Sequence, residues 1–251
     1  IKEIDSRLKM AEDAEREQLM KVYAPDDRAG VQKLLEKYRK QKEKLLAEKE
    51  RLAKMRQYEE KYADYAFICG IDEVGRGPLA GPVVAGAVIL PKECEILYIN
   101  DSKKLSAAKR DELYDEIMDK AVAVGLGMAS PVRIDEINIL QATFLAMERA
   151  MQTLSPQPQL ALIDGNRAKD FGLPVRTIVK GDSLSASIAA ASILAKVTRD
   201  RLMEEYDAQY PQYGFAVHKG YGTKRHYEAL REFGPSPIHR KTFLKKFYEN
   251  P

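Results

Sequence analysis

The sequence predicts an α/β protein in which helices pack on a mixed β-sheet, preceded by a region that is entirely helical. The composition changes near Tyr65: the residues before it are rich in Lys, Glu, Leu and Ala, and those after it form short apolar runs separated by Gly and Pro. Three of these runs are joined by short links, which favours antiparallel strands. Later runs alternate with helical patterns, which favours parallel strands added through crossovers. We therefore expect a helical N-terminal extension over residues 1–65 and a second domain over residues 66–251.

The N-terminal extension contains two helical patterns. They predict helices over residues 4–23 and 31–62, separated by a break at Pro25, Asp26 and Asp27. Apolar residues recur every seven positions along the second helix, which predicts an amphipathic helix that docks on another surface. These residues are Val31, Tyr38, Leu45 and Leu52.

The second predicted helix also carries a strongly basic segment. Residues 33–56 hold ten basic and four acidic side chains. Two interpretations are open: the segment is a solvent-exposed helix face, or it is an arm that binds nucleic-acid phosphates without regard to sequence.

The second domain reads as five strands and four long helices. Short apolar runs predict the strands and 3.6-residue periodicity predicts the helices. The strands are expected over residues 66–71, 81–90, 121–129, 160–163 and 175–179, and the helices over residues 106–120, 135–154, 183–210 and 222–233. Ser106 is a suitable N-cap for the first of these helices. The helix over residues 183–210 is rich in Ala and Ser, which predicts close packing on the sheet.

The bulk composition narrows the class of protein. Apolar residues make up 45% of the 251 residues, enough for a buried core, and the net charge of +3 is too small to identify a nucleic-acid partner by itself. Cys69 and Cys94 have neither metal-ligand spacing nor a disulfide-rich context, which favours a reducing compartment. No run of about 18 apolar residues predicts a membrane span. We expect a cytoplasmic monomer.

Acidic residues follow three of the predicted strands. Asp72 and Glu73 follow the run FICGI, Asp164 follows LALI, and Asp182 comes shortly after VRTIV. Strands in one sheet can bring these carboxylates to one rim, where they are costly to bury unless they are paired or bind a metal. Oxygen ligands without nearby His or Cys select Mg²⁺ or Mn²⁺, and two such ions can catalyse displacement at a phosphodiester. The pattern therefore predicts a two-ion site.

Each of these acids also has a purely structural interpretation. Asp164 precedes a glycine, as in many turns, and Asp182 could cap the following helix. Asp200 is a rival ligand, although Lys196, four residues earlier, is a ready ion-pair partner.

Asp72 and Glu73 raise a geometric problem, because adjacent residues of a strand point to opposite faces. For both to face one site, the strand must end or twist there, and Gly75 and Gly77 would allow this.

Seven motifs, in order along the chain, resemble those of the ribonuclease HII family. They are IDEVGRGPLAGPVVAGAVIL (71–90), NDSKKLS (100–106), LIDGN (162–166), IVKGD (178–182), SIAAASILAKVTRDR (187–201), HKGYGTKRH (218–226) and GPSPIHRKTF (234–243). DDRAGVQKLLEKY (26–38) resembles an extension found in some bacterial members. The resemblance implies a ribonuclease H-like fold, a mixed five-stranded sheet flanked by helices. It also implies an endonuclease that hydrolyses the RNA strand of RNA–DNA hybrids and removes ribonucleotides from DNA duplexes, as in DNA repair and replication. The cut lies 5′ of a single embedded ribonucleotide and leaves a 3′-OH and a 5′-phosphate.

The resemblance also assigns roles to residues. Four match the family's metal-binding carboxylates, with Mn²⁺ or Mg²⁺ as two divalent ions: Asp72, Glu73, Asp164 and Asp182. Three match a segment that reads the ribose 2′-OH through its backbone: Gly75, Arg76 and Gly77. Tyr221 matches a tyrosine that stacks on the sugar after the ribonucleotide. Expected phosphate contacts are Lys103, Lys104, Ser183 and Lys219.

Three alternatives remain. Ribonuclease HIII has similar carboxylates but a β-containing N-terminal domain, whereas this extension is predicted to be helical. A catalytically silent duplex-binding module would not need all four carboxylates. Another nuclease of ribonuclease H fold, such as a junction resolvase, would not need the GRG segment or the tyrosine of KGYG.

Overall fold

The computed structural model describes residues 1–249, except for the side chain of Lys246, and divides into two compact units. The first is Ile1–Arg51 and the second begins at Leu52. The first is helical, and the second contains a five-stranded mixed sheet with helices, as predicted. No helix among the described residues is both long and apolar enough to cross a membrane.

The first unit contains α1 (Lys2–Met10), α2 (Asp13–Tyr23) and most of α3 (Ala29–Met55). The predicted single helix over residues 4–23 is wrong, because the chain is extended at Ala11 and Glu12. The Arg16 side chain donates hydrogen bonds to the carbonyls of Leu8 (2.7 Å) and Ala11 (2.5 Å). These bonds replace helical ones that the break removes.

The apolar stripe of α3 contributes to two cores. Val31 and Tyr38 pack with Leu8 of α1 in the first unit, whereas Leu52 lies in a core of the second. The predicted helix over residues 31–62 does not run through, since α3 ends at Met55 and a short α4 (Gln57–Lys61) follows. Many basic side chains of α3 are exposed, and both interpretations of them remain predictions.

The sheet has the strand order β3-β2-β1-β4-β5. The strands are β1 (Ile68–Val74), β2 (Val83–Ile89), β3 (Ala123–Ala129), β4 (Leu160–Asp164) and β5 (Val175–Ile178). The first three pair antiparallel, and β4 and β5 are added parallel to β1. The predicted antiparallel meander with parallel additions is confirmed.

Beyond α4, the second unit has six helices among the described residues, and the four predicted ones differ from the prediction mainly at their starts. The six are α5 (Ala107–Lys120), α6 (Pro131–Gln152), α7 (Ala186–Gln209), α8 (Phe215–His218), α9 (Lys224–Phe233) and α10 (Lys245–Glu249). Ser106 caps α5 as predicted. The helix α6 begins earlier than expected, after the cap Ser130, and is interrupted at Asn138, whose φ is 65°. The helix α7 begins later than residue 183, because Ser185 is its cap.

The two long helices α6 and α7 cover opposite faces of the sheet. Cys69 and Ile71 of β1 pack in the core beneath α6, and Gly70 lies against α7. A Cβ added at Gly70 would lie 2.1 Å from the backbone of Ser187, so only glycine permits this approach. The Ala-rich face of α7 is buried, which confirms the predicted close packing.

A side chain from α4 holds the first turn of α7. Oε1 of Glu59 accepts hydrogen bonds from Ser185 Oγ (2.6 Å), Ser187 Oγ (2.6 Å) and Ser187 N (3.0 Å). A carboxylate at a helix N-terminus satisfies free amide groups and interacts favourably with the helix dipole.

We expect Glu59→Ala to lower the free energy of unfolding by about 2–3 kcal/mol, because it leaves buried donors without a charged acceptor. Urea unfolding followed by circular dichroism measures this. Glu60 is exposed on the same helix, and Glu60→Ala is the control, expected to change stability by less than about 0.5 kcal/mol. Equal effects of the two substitutions would contradict the capping role.

Candidate metal centre

Three carboxylates meet at the end of the parallel strands. One oxygen each from Asp72, Asp164 and Asp182 can be chosen so that all three atoms lie within 4.8 Å of one another. Ile71 of β1 is opposite Ile163 of β4, so the residues that follow them emerge side by side. The sheet therefore positions Asp72 and Asp164 directly.

Asp182 reaches the group through a tight turn after β5. Lys180 adopts a left-handed conformation with φ of 60°, and residues 181–183 form one 3-10 turn. The amide of Gly181 donates to Asp164 Oδ1 at 2.6 Å, which ties the turn to β4. The alternative that Asp182 caps the next helix is wrong, because Ser185 Oγ accepts from Ile188 N.

The rival acid Asp200 is not a member of this group. Its Oδ1 lies 2.6 Å from Lys196 Nζ, the ion pair that the sequence predicts.

Asp72 and Glu73 point to opposite faces of the sheet. Of the two possibilities, an end or a twist of the strand, the end is excluded, since β1 continues to Val74. Asp72 faces α7, where the Ser192 hydroxyl lowers the pKa of the carboxyl group. Glu73 faces a cleft of about 410 Å³ that borders α6, and its Oε1 lies 3.1 Å from Arg76 Nη1. Asp164 also borders this cleft, so it lies between the two sides.

Burial and mutual repulsion act on these acids. Burial raises the pKa of Asp72 well above its usual value, and the neighbouring Glu73 and Asp164 raise it further. The pKa of Asp182 is raised by burial, then by Asp101 and Asp164. Burial also raises the pKa of Glu73, against the opposing charge of its arginine partner. Crowded oxygen ligands that resist ionisation fit a hard divalent cation, which would compensate their charge.

The GRG segment and Tyr221 lie side by side. Gly75 has φ of 89°, and a Cβ added at Gly77 would lie 3.6 Å from Tyr221 Cε1. The tyrosine is 45% exposed. Within residues 1–249, the amides of Arg76 and Gly77 donate to no protein acceptor. The loop thus presents backbone donors next to an exposed aromatic ring.

The expected phosphate contacts fall into two groups. Lys104 Nζ donates to Ser183 Oγ at 2.9 Å, and the charge of Lys103 lowers the pKa of both Glu73 and Asp182. Lys219 is held elsewhere, with its Nζ at 2.6 Å from Glu204 on α7.

Sequence reasoning missed three residues around the site. Asp101 lies beside Asp182. Arg199 and Arg240 are fully buried and donate to carbonyls of the segment that follows β1. All three lie inside motifs that resemble those of the family, and this was the signal that could have identified them. Nothing in the neighbouring sequence indicates that an arginine is buried.

Comparisons with known proteins agree with this geometry. A family model described as Ribonuclease HII matches residues 69–248, and one described as Ribonuclease HII N-terminal domain matches residues 1–63. The chain belongs to the ribonuclease HII family. A ribonuclease HII of Lachnoclostridium phytofermentans is 61% identical over 89% of this chain and 88% of its own length. One of Bacillus cytotoxicus is 52% identical over 91% and 89% respectively. The crystal structure of ribonuclease H2 from Pyrococcus horikoshii OT3 matches with a TM-score of 0.61 and 28% identity, covering 73% of this chain and all of that one (100%).

Membership in the ribonuclease HII family decides which of the candidate nuclease families the chain belongs to. The chain is an endonuclease of this family, and the N-terminal match separates it from ribonuclease HIII. The acidic group of Asp72, Asp164 and Asp182 is consistent with metal-dependent catalysis.

We expect Asp72→Asn to raise the melting temperature of the metal-free protein at pH 7.5 by a few degrees, since about 1 kcal/mol corresponds to about 2–4 °C at this size. The folded-state pKa of Asp72 is raised, so the carboxyl group does not destabilise the fold below its ordinary pKa of 3.8. Its destabilising effect grows as pH rises from there toward the folded-state pKa. The gain should therefore vanish near pH 4 and below.

Differential scanning fluorimetry across pH, with and without Mn²⁺, measures this. Asp64 is exposed, and Asp64→Asn is the matched control, for which no such gain is expected. A gain of equal size for Asp72→Asn at acidic and neutral pH would exclude charge as its cause.

Proposed function

We propose that this chain hydrolyses the RNA strand of RNA–DNA hybrids and cuts DNA duplexes on the 5′ side of a single embedded ribonucleotide. The observation that carries the proposal is the meeting of three carboxylates at the strand ends of the unit that also holds the GRG segment and the exposed Tyr221. The products are a 3′-OH end and a 5′-phosphate on the ribonucleotide.

Asp72, Glu73, Asp164 and Asp182 would hold two divalent ions, Mn²⁺ or Mg²⁺. When bound, such ions supply Lewis-acid stabilisation of the attacking and leaving oxygens in an in-line displacement. Asp164 borders both the α7 side, where Asp72 lies, and the cleft where Glu73 lies. This position suits a carboxylate that serves both ions.

Recognition of the ribose would come from the backbone. The 2′-OH distinguishes RNA from DNA, and the unpaired amides of Arg76 and Gly77 can donate to it. Gly77 has no side chain to obstruct the sugar, and the Tyr221 ring beside it offers a flat apolar surface. A deoxyribose packs closely on such a surface, and a second ribose packs less well.

Basic residues would hold the backbone on either side of the cut. Lys103 and Lys104 stand near the carboxylates, and Lys104 is already hydrogen-bonded to Ser183. Lys219 would reach a phosphate only after leaving Glu204. Its contribution is therefore expected to be smaller than that of the other two lysines.

Cleavage of labelled duplexes tests the reaction. The wild-type protein with Mn²⁺ or Mg²⁺ should cut a DNA duplex that contains one ribonucleotide and leave the all-DNA duplex intact. Asp164→Asn should reduce cleavage to background, because the residue would serve both ions. Asp115 is exposed on α5, and Asp115→Asn is the control, expected to keep the wild-type rate. Cleavage by Asp164→Asn at near wild-type rate would refute the ligand assignment.

The role of Tyr221 is tested by two substitutions. Tyr221→Ala should lower kcat/KM on the single-ribonucleotide duplex by roughly 5- to 150-fold, which corresponds to the stacking contribution of about 1–3 kcal/mol. Tyr221→Phe keeps the ring and should keep most of the activity. If the alanine variant retains the full rate, or if phenylalanine is as poor as alanine, sugar stacking by the ring is wrong.

A further inference from the structure

The C-terminal motif GPSPIHRKTF (234–243) has no part in the function described so far. It contains two consecutive buried residues, His239 and Arg240, which are 4% and 0% exposed. Arg240 is hydrogen-bonded to the GRG segment, and His239 is connected to Tyr221 by a chain of hydrogen bonds through His226. We propose that His239 and Arg240 are positioning residues that set the spacing between the backbone that reads the ribose and the ring that packs on the next sugar. This inference rests on the proposed function.

Arg240 determines the orientation of the GRG backbone. Its guanidinium donates to the carbonyls of Gly75 (2.5 Å), Arg76 (2.9 Å) and Gly81 (2.8 Å). In a trans peptide the N–H points opposite to the C=O of the same unit. Because the carbonyls of Gly75 and Arg76 turn inward, the amides of Arg76 and Gly77 turn away from Arg240. As noted above, neither of these amides donates to a protein acceptor within residues 1–249.

His239 begins a directional chain of hydrogen bonds to Tyr221. The amide of Ser236 donates to His239 Nδ1 at 2.9 Å, so the neutral ring carries its proton on Nε2. That group donates to His226 Nε2 at 2.9 Å. The proton of His226 is therefore on Nδ1, which donates to the carbonyl of Tyr221 at 2.9 Å. Burial lowers the pKa of both histidines to about 4, which keeps the chain neutral near pH 7.

Backbone contacts join the two branches into one frame. The amide of Arg240 donates to Leu79 O at 2.8 Å, and the amide of Leu79 donates to Gly220 O at 2.8 Å. Ala80 pairs with His239 in an isolated β-bridge. The segment after the GRG loop is thus connected to the residue before Tyr221. A shift of the motif would move the loop and the ring relative to each other.

A second buried arginine closes the frame. Arg199 of α7 donates to the carbonyls of Pro82 (3.0 Å), Ala80 (3.1 Å) and Lys219 (3.0 Å). It links the same two segments through hydrogen bonds that involve neither His239 nor Arg240, so the frame should keep its general shape when either residue is changed. Substitution of either residue is therefore expected to alter geometry locally rather than unfold the domain.

The test compares two substrates that differ in the sugar beneath the ring. A single-ribonucleotide DNA duplex places a deoxyribose there, and an RNA–DNA hybrid places a ribose. His239→Gln should lower kcat/KM on the first substrate relative to the second by about tenfold, within the range of one stacking contact. Arg240→Lys should lower kcat/KM on both substrates alike, because both are read through the 2′-OH. Lys241 is exposed in the same motif, and Lys241→Ala is the control, expected to keep the wild-type ratio.

A double-mutant cycle separates positioning from general stability. In a Tyr221→Ala background, His239→Gln should not change the substrate ratio further, because there is no ring left to place. A further change of the same size would overturn the inference, as would an unchanged substrate ratio in His239→Gln alone. The Mn²⁺-induced shift in melting temperature should equal that of the wild type, which shows that the metal site is intact. Failure of the wild type to cut either substrate would instead refute the proposed function.

The tautomers can be observed without any substitution. Nitrogen-15 NMR of the full-length wild-type protein should show His239 protonated on Nε2 and His226 on Nδ1. The opposite tautomer on either ring would break the chain to Tyr221 and overturn the inference, even if His239→Gln fails to fold.

Discussion

The burial of Asp72 between the sheet and α7 is the constraint on which the rest of the structure depends. A carboxylate at this depth is unfavourable unless donors or a cation compensate it. The amide of Glu73 donates to Asp72 Oδ1, and the nearby hydroxyl of Ser192 lowers the pKa of the carboxyl group. The protein then adds Asp164 and Asp182 nearby, so that repulsion adds to desolvation. The unliganded fold therefore carries an electrostatic cost that a divalent cation would remove, and the residues that lower stability are the ones that could bind the metal.

Close packing of α7 on the sheet makes this arrangement feasible. Gly70 allows the backbone of α7 to lie directly against β1, and the small alanine and serine side chains of α7 permit the same close approach from the helix. The turn that carries Asp182 leads directly into the start of α7, which Glu59 and Ser185 hold by hydrogen bonds. The position of Asp182 therefore follows from how the helix starts, and the position of Asp164 from strand pairing. Strand pairing and the start of the helix together bring these carboxylates to one place.

The two halves of the site are organised by opposite charges. The acidic half is a set of carboxylates whose charge a divalent cation would compensate. The half that contains the GRG segment and Tyr221 rests on the guanidinium groups of Arg199 and Arg240, which donate their hydrogen bonds to main-chain carbonyls. Burial lowers the pKa of Arg240 to about 9 and of Arg199 to about 10, so both stay charged near neutral pH. Positive charge beneath the GRG loop is electrostatically favourable for a polyanionic backbone that passes over it.

Local patterns in the sequence determined the strands, most of the helices and the placement of Asp164 at the end of a strand. Strands that are buried on both faces appear as continuous apolar runs, and helices appear as a 3.6-residue periodicity. The motifs determined the family. Only the tertiary structure decided that β1 continues through Glu73, so that Asp72 and Glu73 face opposite sides of the sheet. It also decided that Arg16 stabilises a helix break without Gly or Pro, and that Arg240 orients the GRG loop. The acceptors of Arg240 lie 159 to 165 residues away in the chain. Partners so distant leave no periodic signal, because only folding brings them into contact.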